Sequence, residues 1–165
     1  MSTPEFILAL REKIGQGPLW LMGVTAVVLR EDQVLLVQRA DNGIWSPVTG
    51  IIDPGEEPAD AAAREVLEEA DIVAVPEQLV KVHATAPMVH ANGDHAQYLD
   101  FVFRFRWVSG TPHPADGENL FARWFALDAL PQMPDHLRAR IESVLHPSVI
   151  TEFSFQGEPL GTKAN

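Results

Sequence analysis

The segment from Pro58 to Ala70 is the strongest local constraint on how this chain can fold. Pro58 suits the first turn of a helix, where its missing N–H costs nothing. Small apolar residues then recur at helical spacing along one face of the segment: Ala59, Ala62, Ala63, Val66 and Ala70. We therefore predict a helix over about 58–70 that packs closely against a sheet.

Three acidic residues lie on the other side of this predicted helix. Glu65, Glu68 and Glu69 are spaced i, i+3, i+4, which puts their side chains on one face. Like charges at this spacing destabilise a helix by roughly 0.2–0.5 kcal/mol per pair, and Arg64 is the only basic residue within 42–80. A divalent cation would relieve the repulsion, and carboxylate oxygens favour Mg²⁺ or Mn²⁺. The ordinary alternative is a solvated acidic helix face.

Strand-like runs rich in branched and aromatic residues occur along the rest of the chain. They lie at 20–29, 33–38, 79–89, 98–107 and 121–127. The first two flank a short polar turn and predict a hairpin. Polar and apolar residues alternate through 98–107, which predicts a strand with one apolar face. Turn-forming residues predict loops over 41–50 and 110–117.

Two further helices are predicted near the ends of the chain, at about 4–14 and 134–146. These elements together predict an α/β or α+β fold, a sandwich with helices on both faces of a mixed central sheet. We predict a single domain over residues 1–165, with its core at about 17–146. The tail, about 147–165, is weakly patterned and is expected to be partly mobile.

Composition excludes several classes of function. The chain has no cysteine, which rules out disulfides, thiolate catalysis and zinc–cysteine sites. Its formal net charge of -11 argues against duplex DNA or long RNA as a partner, although a small anionic substrate is compatible if metal cations neutralise it. The most apolar stretch, 18–29, is too short to span a bilayer, and the N-terminus lacks a signal-peptide pattern. We therefore expect a cytoplasmic protein without a membrane partner.

The residues around the acidic helix follow the spacing of the Nudix box. That motif reads Gly, five residues, Glu, seven residues, Arg-Glu, aliphatic, any residue, Glu-Glu, any residue, Gly, aliphatic. The matching positions are Gly50, Glu56, Arg64, Glu65, Val66, Glu68, Glu69 and Ile72. Asp71 departs from the motif, where the family usually has a left-handed Gly, and Asp tolerates that conformation better than most residues. The chain thus resembles MutT-type Nudix hydrolases over about 17–146, which implies the Nudix α/β/α sandwich with a carboxylate-bearing catalytic helix.

This resemblance implies a site and a reaction. In Nudix enzymes the box glutamates and the first Gly carbonyl hold one to three divalent ions, which carries over to Gly50, Glu65, Glu68 and Glu69 with Mg²⁺ or Mn²⁺. Water then attacks one phosphorus of a diphosphate linkage. Arg64 is expected to pair with Glu56 or Glu65 and to orient it.

The identity of the general base stays open. It is Glu65 itself or a later acid such as Glu118, which lies six residues before Trp124 as in MutT-type members and would also be a metal ligand. Asp116 is the rival of Glu118, because Asp-Gly-Glu is also ordinary turn chemistry.

Substrate contacts are less constrained by the resemblance. Arg39 resembles a common substrate-contacting arginine, and Tyr98 is a candidate for stacking on a base, although aromatic residues in strands more often belong to the core. The substrate class is a small phosphorylated metabolite: a nucleoside or pterin triphosphate, an ADP-ribose-like compound or a dinucleoside polyphosphate. The six histidines show no metal-binding spacing.

Two other functions remain as hypotheses beside the hydrolase. A non-catalytic Nudix-fold sensor that binds nucleotides is the alternative function, although such modules usually lose the box glutamates. An isomerase of the isopentenyl diphosphate type needs a catalytic cysteine, which this chain lacks. A homodimer is left open, with the N-terminal helix as a candidate interface.

Overall fold

The computed structural model describes residues 3–90 and 92–155, and within them three helices form. They are α1 (Glu5–Ile14), α2 (Pro58–Ala70) and α3 (Asp135–Leu145). The predicted helices at 4–14, 58–70 and 134–146 are therefore confirmed. None of the helices in the described part of the chain is long and apolar enough to cross a membrane.

Nine strands form within the same described residues. They are β1 (Leu19–Arg30), β2 (Gln33–Arg39), β3 (Trp45–Ser46), β4 (Val48–Ile51), β5 (Val73–Ala84), β6 (Met88–Val89), β7 (His95–Ser109), β8 (Asn119–Ala126) and β9 (Glu152–Phe153). The hairpin of β1 and β2 is confirmed, and Glu31 turns the chain with a φ of 54°.

Strand β1 organises the mixed sheet. It pairs in parallel with β7, from Leu19 opposite Ala96 to Leu29 opposite Arg106. It also pairs antiparallel with β4 on its other side, and with β2 at its C-terminal end. Strand β7 continues antiparallel to β5, while β2 carries β8. Among the described residues, β4 pairs only with β1.

Helices cover both faces of this sheet, which confirms the predicted sandwich. On one face, α2 packs through Ala62, Val66 and Ala70 against residues of β1 and β7 such as Val24 and Phe105. On the opposite face, α3 contributes the buried residues Leu137, Ile141 and Val144, which pack with Val27 and Val102.

The prediction of one apolar face for 98–107 is wrong. Phe103 and Phe105 face α2, but Asp100 and Val102, on the supposed polar face, are also buried. The reason is that α3 covers that face, so the strand is buried on both sides.

Other predictions differ in their boundaries. The predicted loop over 41–50 contains strands β3 and β4, because pairing with β2 and β1 overrides the weak local preference around Pro47. Strand β5 begins at Val73, not near 79. In the predicted tail, β9 pairs in parallel with Lys81 and Val82 of β5, and residues 156–165 lie outside the described part. The single-domain organisation over 1–165 stays a prediction.

Candidate active site

Helix α2 turns two of its three glutamates towards the protein interior. Glu65 is only 1% exposed and Glu69 only 7%, whereas 42% of the Glu68 side chain is exposed. The helix begins at Pro58 and ends at Asp71, which adopts the left-handed conformation expected for it. Two carboxylates are therefore held inside the fold on consecutive turns, and the third lies at the surface.

Glu65 lies directly against the backbone of Gly50 in β4. A Cβ atom at position 50 would collide with the carboxyl group of Glu65, so only glycine fits here. The antiparallel pairing of Gly50 with Val24 fixes the height of β4 beside the helix. The absence of a side chain at Gly50 therefore allows the Glu65 carboxylate to occupy this position.

Arg64 ties three acidic side chains together beside this contact. It binds both carboxylate oxygens of Glu56 at 2.8 Å, Oε1 of Glu65 at 3.0 Å and Oε2 of Glu68 at 3.3 Å. It also donates to the carbonyl oxygen of Ile51 in β4 at 3.3 Å. Of the two expected partners, Glu56 and Glu65, the arginine contacts both, and it thereby fixes the orientation of Glu65 relative to β4.

Glu69 has a different partner, on the opposite side of the site. Asn119, the first residue of β8, donates a hydrogen bond of 3.0 Å from Nδ2 to Oε2 of Glu69. The loop before β8 is attached to the end of α2, because Ala115 N–H donates to the carbonyl of Glu69 at 3.3 Å. This attachment brings the acids of the loop, Asp116 and Glu118, into the electrostatic environment of Glu69.

Burial changes the acidity of both interior glutamates. It raises the pKa of Glu65 to about 8, although the neighbouring Arg64 charge opposes the rise. Burial likewise raises the pKa of Glu69 to about 7, opposed by the Asn119 hydrogen bond and reinforced by the charges of Asp116 and Glu118. Two carboxylates whose charged forms are disfavoured by their surroundings are a common sign of a functional site.

A cavity of about 770 Å³ opens beside these residues. Its lining includes six of the residues predicted from the sequence to form the site: Arg39, Gly50, Glu65, Glu69, Tyr98 and Glu118. Arg64 and Glu68 lie outside the lining, Arg64 behind Glu65 and Glu68 at the surface. Arg39 forms an ion pair with Asp41 at 3.0 Å, and Tyr98 Oη lies 3.0 Å from Nε2 of His90.

A family model for the NUDIX domain matches residues 20–146. The chain belongs to the Nudix family. The predicted membership is confirmed, and the motif from Gly50 to Ile72 is its Nudix box.

Similar proteins include an 8-oxo-dGDP phosphatase, NUDT18, from Homo sapiens, which is 37% identical over 115 residues. That match covers 66% of this chain and 33% of the relative. The NAD-capped RNA hydrolase NudC from Pseudomonas aeruginosa is 34% identical over 122 residues, covering 72% of this chain and 41% of NudC. This Nudix chain therefore matches less than half the length of either relative.

A solved structure has the same fold along nearly its whole length. The NUDIX hydrolase from Nitrosomonas europaea superimposes with a TM-score of 0.61 at 29% identity, covering 81% of this chain and 97% of that one.

Within the Nudix box, the Glu65 carboxylate is suited to binding a divalent cation. Oε2 of Glu65 is buried and has no hydrogen-bond partner among the described residues, whereas buried acceptors are normally satisfied. Within 3–90 and 92–155, however, no three His, Asp or Glu side chains already converge as a metal site. Arg64 draws Glu68 aside, so a cation here would be held by Glu65 and Glu69 together with backbone and substrate oxygens.

Several residues of the site were not predicted from the sequence. Asn119 binds Glu69 across the fold, and Asp41 pairs with Arg39 in the cavity wall. Asp100 and Arg140 also line the cavity. Nothing local distinguishes an Asn at the start of a strand or an Arg on a helix, so these roles depend on tertiary contacts.

Proposed function

We propose that this chain is a divalent-metal-dependent hydrolase that cleaves the diphosphate linkage of a nucleoside diphosphate derivative by attack of water at phosphorus. The observation that carries the proposal is the buried Glu65 carboxylate, unpartnered at Oε2 and packed on Gly50, beside Glu69 at the cavity wall. A buried carboxylate with an unpartnered oxygen destabilises the fold unless a ligand binds that oxygen. A cation shared with a diphosphate would be that ligand.

The residues of the site have different roles in this proposal. Glu65 and Glu69, with the Gly50 carbonyl, would hold the cation, and Glu118 would add a ligand. Glu68 would join them only on leaving Arg64, which binds it at 3.3 Å. When bound, a divalent cation neutralises phosphate charge and lowers the pKa of a coordinated water. Either Glu65 or Glu118 then accepts the proton of the attacking water.

Two arginines have distinct roles in this proposal. Arg64 keeps the Glu65 carboxylate oriented, because it bonds to Glu65, to Glu56 and to the backbone of β4. Arg39 lies in the cavity wall, close enough to Glu69 and Glu118 to interact electrostatically with both. In this proposal its guanidinium would bind phosphate oxygens, exchanging Asp41 for the substrate.

The proposed substrate class is supported by the cavity and by the relatives. About 770 Å³ is ample for a nucleotide-sized ligand, and the names of NUDT18 and NudC specify 8-oxo-dGDP and NAD-capped RNA. With a formal net charge of -11, a small metabolite fits this chain better than an RNA polymer. Tyr98 would lie beside the nucleoside part.

The test is a panel of nucleoside di- and triphosphates, ADP-ribose and dinucleoside polyphosphates, assayed with Mg²⁺ and with Mn²⁺. We expect turnover of at least one compound, and incorporation of ¹⁸O from labelled water identifies the phosphorus attacked. Glu69→Gln should abolish activity, while Glu77→Gln, on the exposed surface away from the cavity, should not. No turnover above the Glu69→Gln background would overturn the proposal. Tight binding without turnover would favour the nucleotide sensor.

A further inference from the structure

The floor of the cavity is a patch of the sheet in which one position has no side chain. Residues of β1 and β7 that point away from α2 form this floor, among them Gly23, Tyr98 and Asp100. Gly23 pairs with Asp100 on one side and with Ile51 of β4 on the other. Because Gly23 has no side chain, the Tyr98 ring packs against its backbone, where a Cβ atom would lie 3.3 Å from Cδ1 of Tyr98.

A buried polar cluster lies next to Gly23, around Asp100 on the neighbouring strand. Asp100 is only 3% exposed, and both of its carboxylate oxygens lie 3.0 Å from the hydroxyl of Thr25. Nε of Arg140, from α3, lies 3.3 Å from Oδ2 of Asp100, and Nε2 of His83 lies 4.0 Å from the same oxygen. The arginine is thus anchored to the sheet by a buried charge.

Arg140 has donors that nothing in the described chain accepts. Its side chain is 11% exposed and lines the cavity. Nε is buried without a hydrogen bond of good geometry, and no acceptor among residues 3–90 and 92–155 bonds to its terminal nitrogens. A guanidinium presents five donors in a rigid fork. A ligand in the cavity that offers two adjacent acceptors would satisfy it.

The charge of this cluster favours a neutral ligand over an anion. Asp100 balances Arg140, and burial lowers the pKa of His83 and of His136, which favours their uncharged forms. Lys81 also acts on His83 but does not line the cavity. A second phosphate or a carboxylate would therefore meet little net positive charge. Neutral acceptors, such as ring nitrogen and carbonyl oxygen, match the site better.

We propose that Arg140, held by Asp100, determines specificity by binding the O6 and N7 acceptors of a guanine-type purine that lies in the cavity beside the Tyr98 ring. Arginine pairs with those two atoms in a bidentate geometry, whereas adenine presents a donor in place of O6. Asp100 lies two strands from Gly50, roughly 10 Å across the sheet, a separation that a nucleoside bridges between its base and its phosphates. The inference rests on the proposed function for the position of the diphosphate.

The kinetic test compares 5′-diphosphates of guanosine, inosine, 7-deazaguanosine and adenosine. We expect the highest kcat/KM for GDP and IDP, which both carry O6 and N7, and lower values for 7-deaza-GDP and ADP. Arg140→Lys keeps the charge near Asp100 but loses the fork, so kcat/KM for GDP should fall about 5- to 150-fold while that for ADP is unchanged. Arg138→Lys on the same helix is the control, because Arg138 donates to Pro131 and does not line the cavity.

A binding measurement separates this inference from the proposed hydrolysis. Calorimetric titration of Glu69→Gln with GDP and with ADP in Mg²⁺ reports base preference without turnover. Preference for GDP that Arg140→Lys removes supports the inference even if the wild-type chain hydrolyses nothing. Equal binding of GDP and ADP, or a preference for ADP, overturns it even if hydrolysis is observed. Melting temperatures of each variant show whether a loss of binding reflects misfolding.

Discussion

Asn119 bonds through Nδ2 to Oε2 of Glu69 at 3.0 Å, and both side chains are buried. This contact joins the start of β8 to the last turn of α2, across fifty positions of sequence. Burial raises the pKa of Glu69 to about 7, and the hydrogen bond from Asn119 opposes that rise. Asn119 therefore helps to keep Glu69 ionised, the form that can hold a cation.

Replacing Asn119 should change how activity depends on pH. In Asn119→Ala the Glu69 carboxylate loses its donor, so its pKa should rise further and the acidic limb of the kcat/KM profile should move to higher pH. Asn119→Asp should move it more, because a second carboxylate then lies beside Glu69. Gln78→Ala, which removes a donor to Ser148 outside the cavity, is the control. Identical profiles for all variants and the wild type would contradict the assigned role.

A methyl group at position 50 should disable the site without unfolding the chain. In Gly50→Ala the new Cβ would displace the Glu65 carboxylate, and a shift of about 1 Å at such a group costs roughly a hundredfold in rate. Steady-state kinetics with Mg²⁺ measure the loss, and the melting temperature monitors folding. The double variant Gly50→Ala/Glu65→Ala should be no slower than Glu65→Ala alone, because both changes remove the same group. Additive losses would show that Gly50 acts through something else.

Stability in the absence of metal should depend on pH through Glu65. Folding raises the pKa of Glu65 from 4.5 to about 8, mainly by burial. The protonated form is thus favoured in the folded state, so its contribution to stability is full below pH 4.5 and is lost as the pH rises towards about 8. Glu65→Gln mimics the protonated form. Its advantage in unfolding free energy over the wild type should grow between about pH 5 and about pH 8.

Denaturant titrations in a chelator measure this difference across the pH range. Glu68→Gln makes the same change at an exposed position of α2, and its difference from the wild type should stay flat. A Glu65→Gln difference that does not vary with pH would mean that Glu65 is not preferentially protonated in the folded protein. Added Mg²⁺ should stabilise the wild type more at the alkaline end of the range, where Glu65 is ionised.

Arg64 should matter more to stability than a surface arginine. Arg64→Lys keeps the charge but cannot bind both oxygens of Glu56 while also bonding to Glu65, and we expect a loss of about 2 kcal/mol in unfolding free energy. Arg106→Lys is the matched control, because Arg106 is 60% exposed and pairs with Glu77 at 3.0 Å. That change should cost less than about 1 kcal/mol. Similar losses for the two variants would argue against a structural role for the Arg64 network.

Glu118 and Asp116 can be told apart by substitution. Glu118 lines the cavity, whereas Asp116 accepts a hydrogen bond of 3.0 Å from the Glu118 N–H. Glu118→Gln should lower kcat by at least about tenfold if Glu118 is a base or a metal ligand. Asp116→Asn keeps an acceptor for the backbone and should have a small effect on kcat. The reverse order of effects would assign the role to Asp116.

The sequence predicted the local features of this fold well. The boundaries of α2 followed from Pro58 and from the spacing of its alanines, which depend on residues within a few turns. The motif spacing identified Gly50, Glu65 and Glu69, which do lie together at the cavity. These features need only short-range information or a recognisable motif.

Features that depend on distant partners were not predicted. The burial of Glu65 and Glu69 arises because β4 and β8 close around α2, and no pattern within the helix records it. The burial of Asp100 likewise requires α3 to cover β7, with Arg140 forty residues further along the chain. The alternation in 98–107 therefore predicted a strand with only one buried face. In the sequence, a buried polar residue that is bound by a distant partner cannot be distinguished from a polar residue exposed to solvent.

The parallel pairing of β1 with β7 has a consequence for the order in which the molecule can assemble. Its partners, such as Leu29 and Arg106, are far apart in the chain, so this pairing carries the loop-closure cost that slows folding. During synthesis the glutamates of α2 emerge well before β7 does. The acidic helix is therefore made before the strand that completes its cavity, and the cavity is unfinished until β7 has left the ribosome.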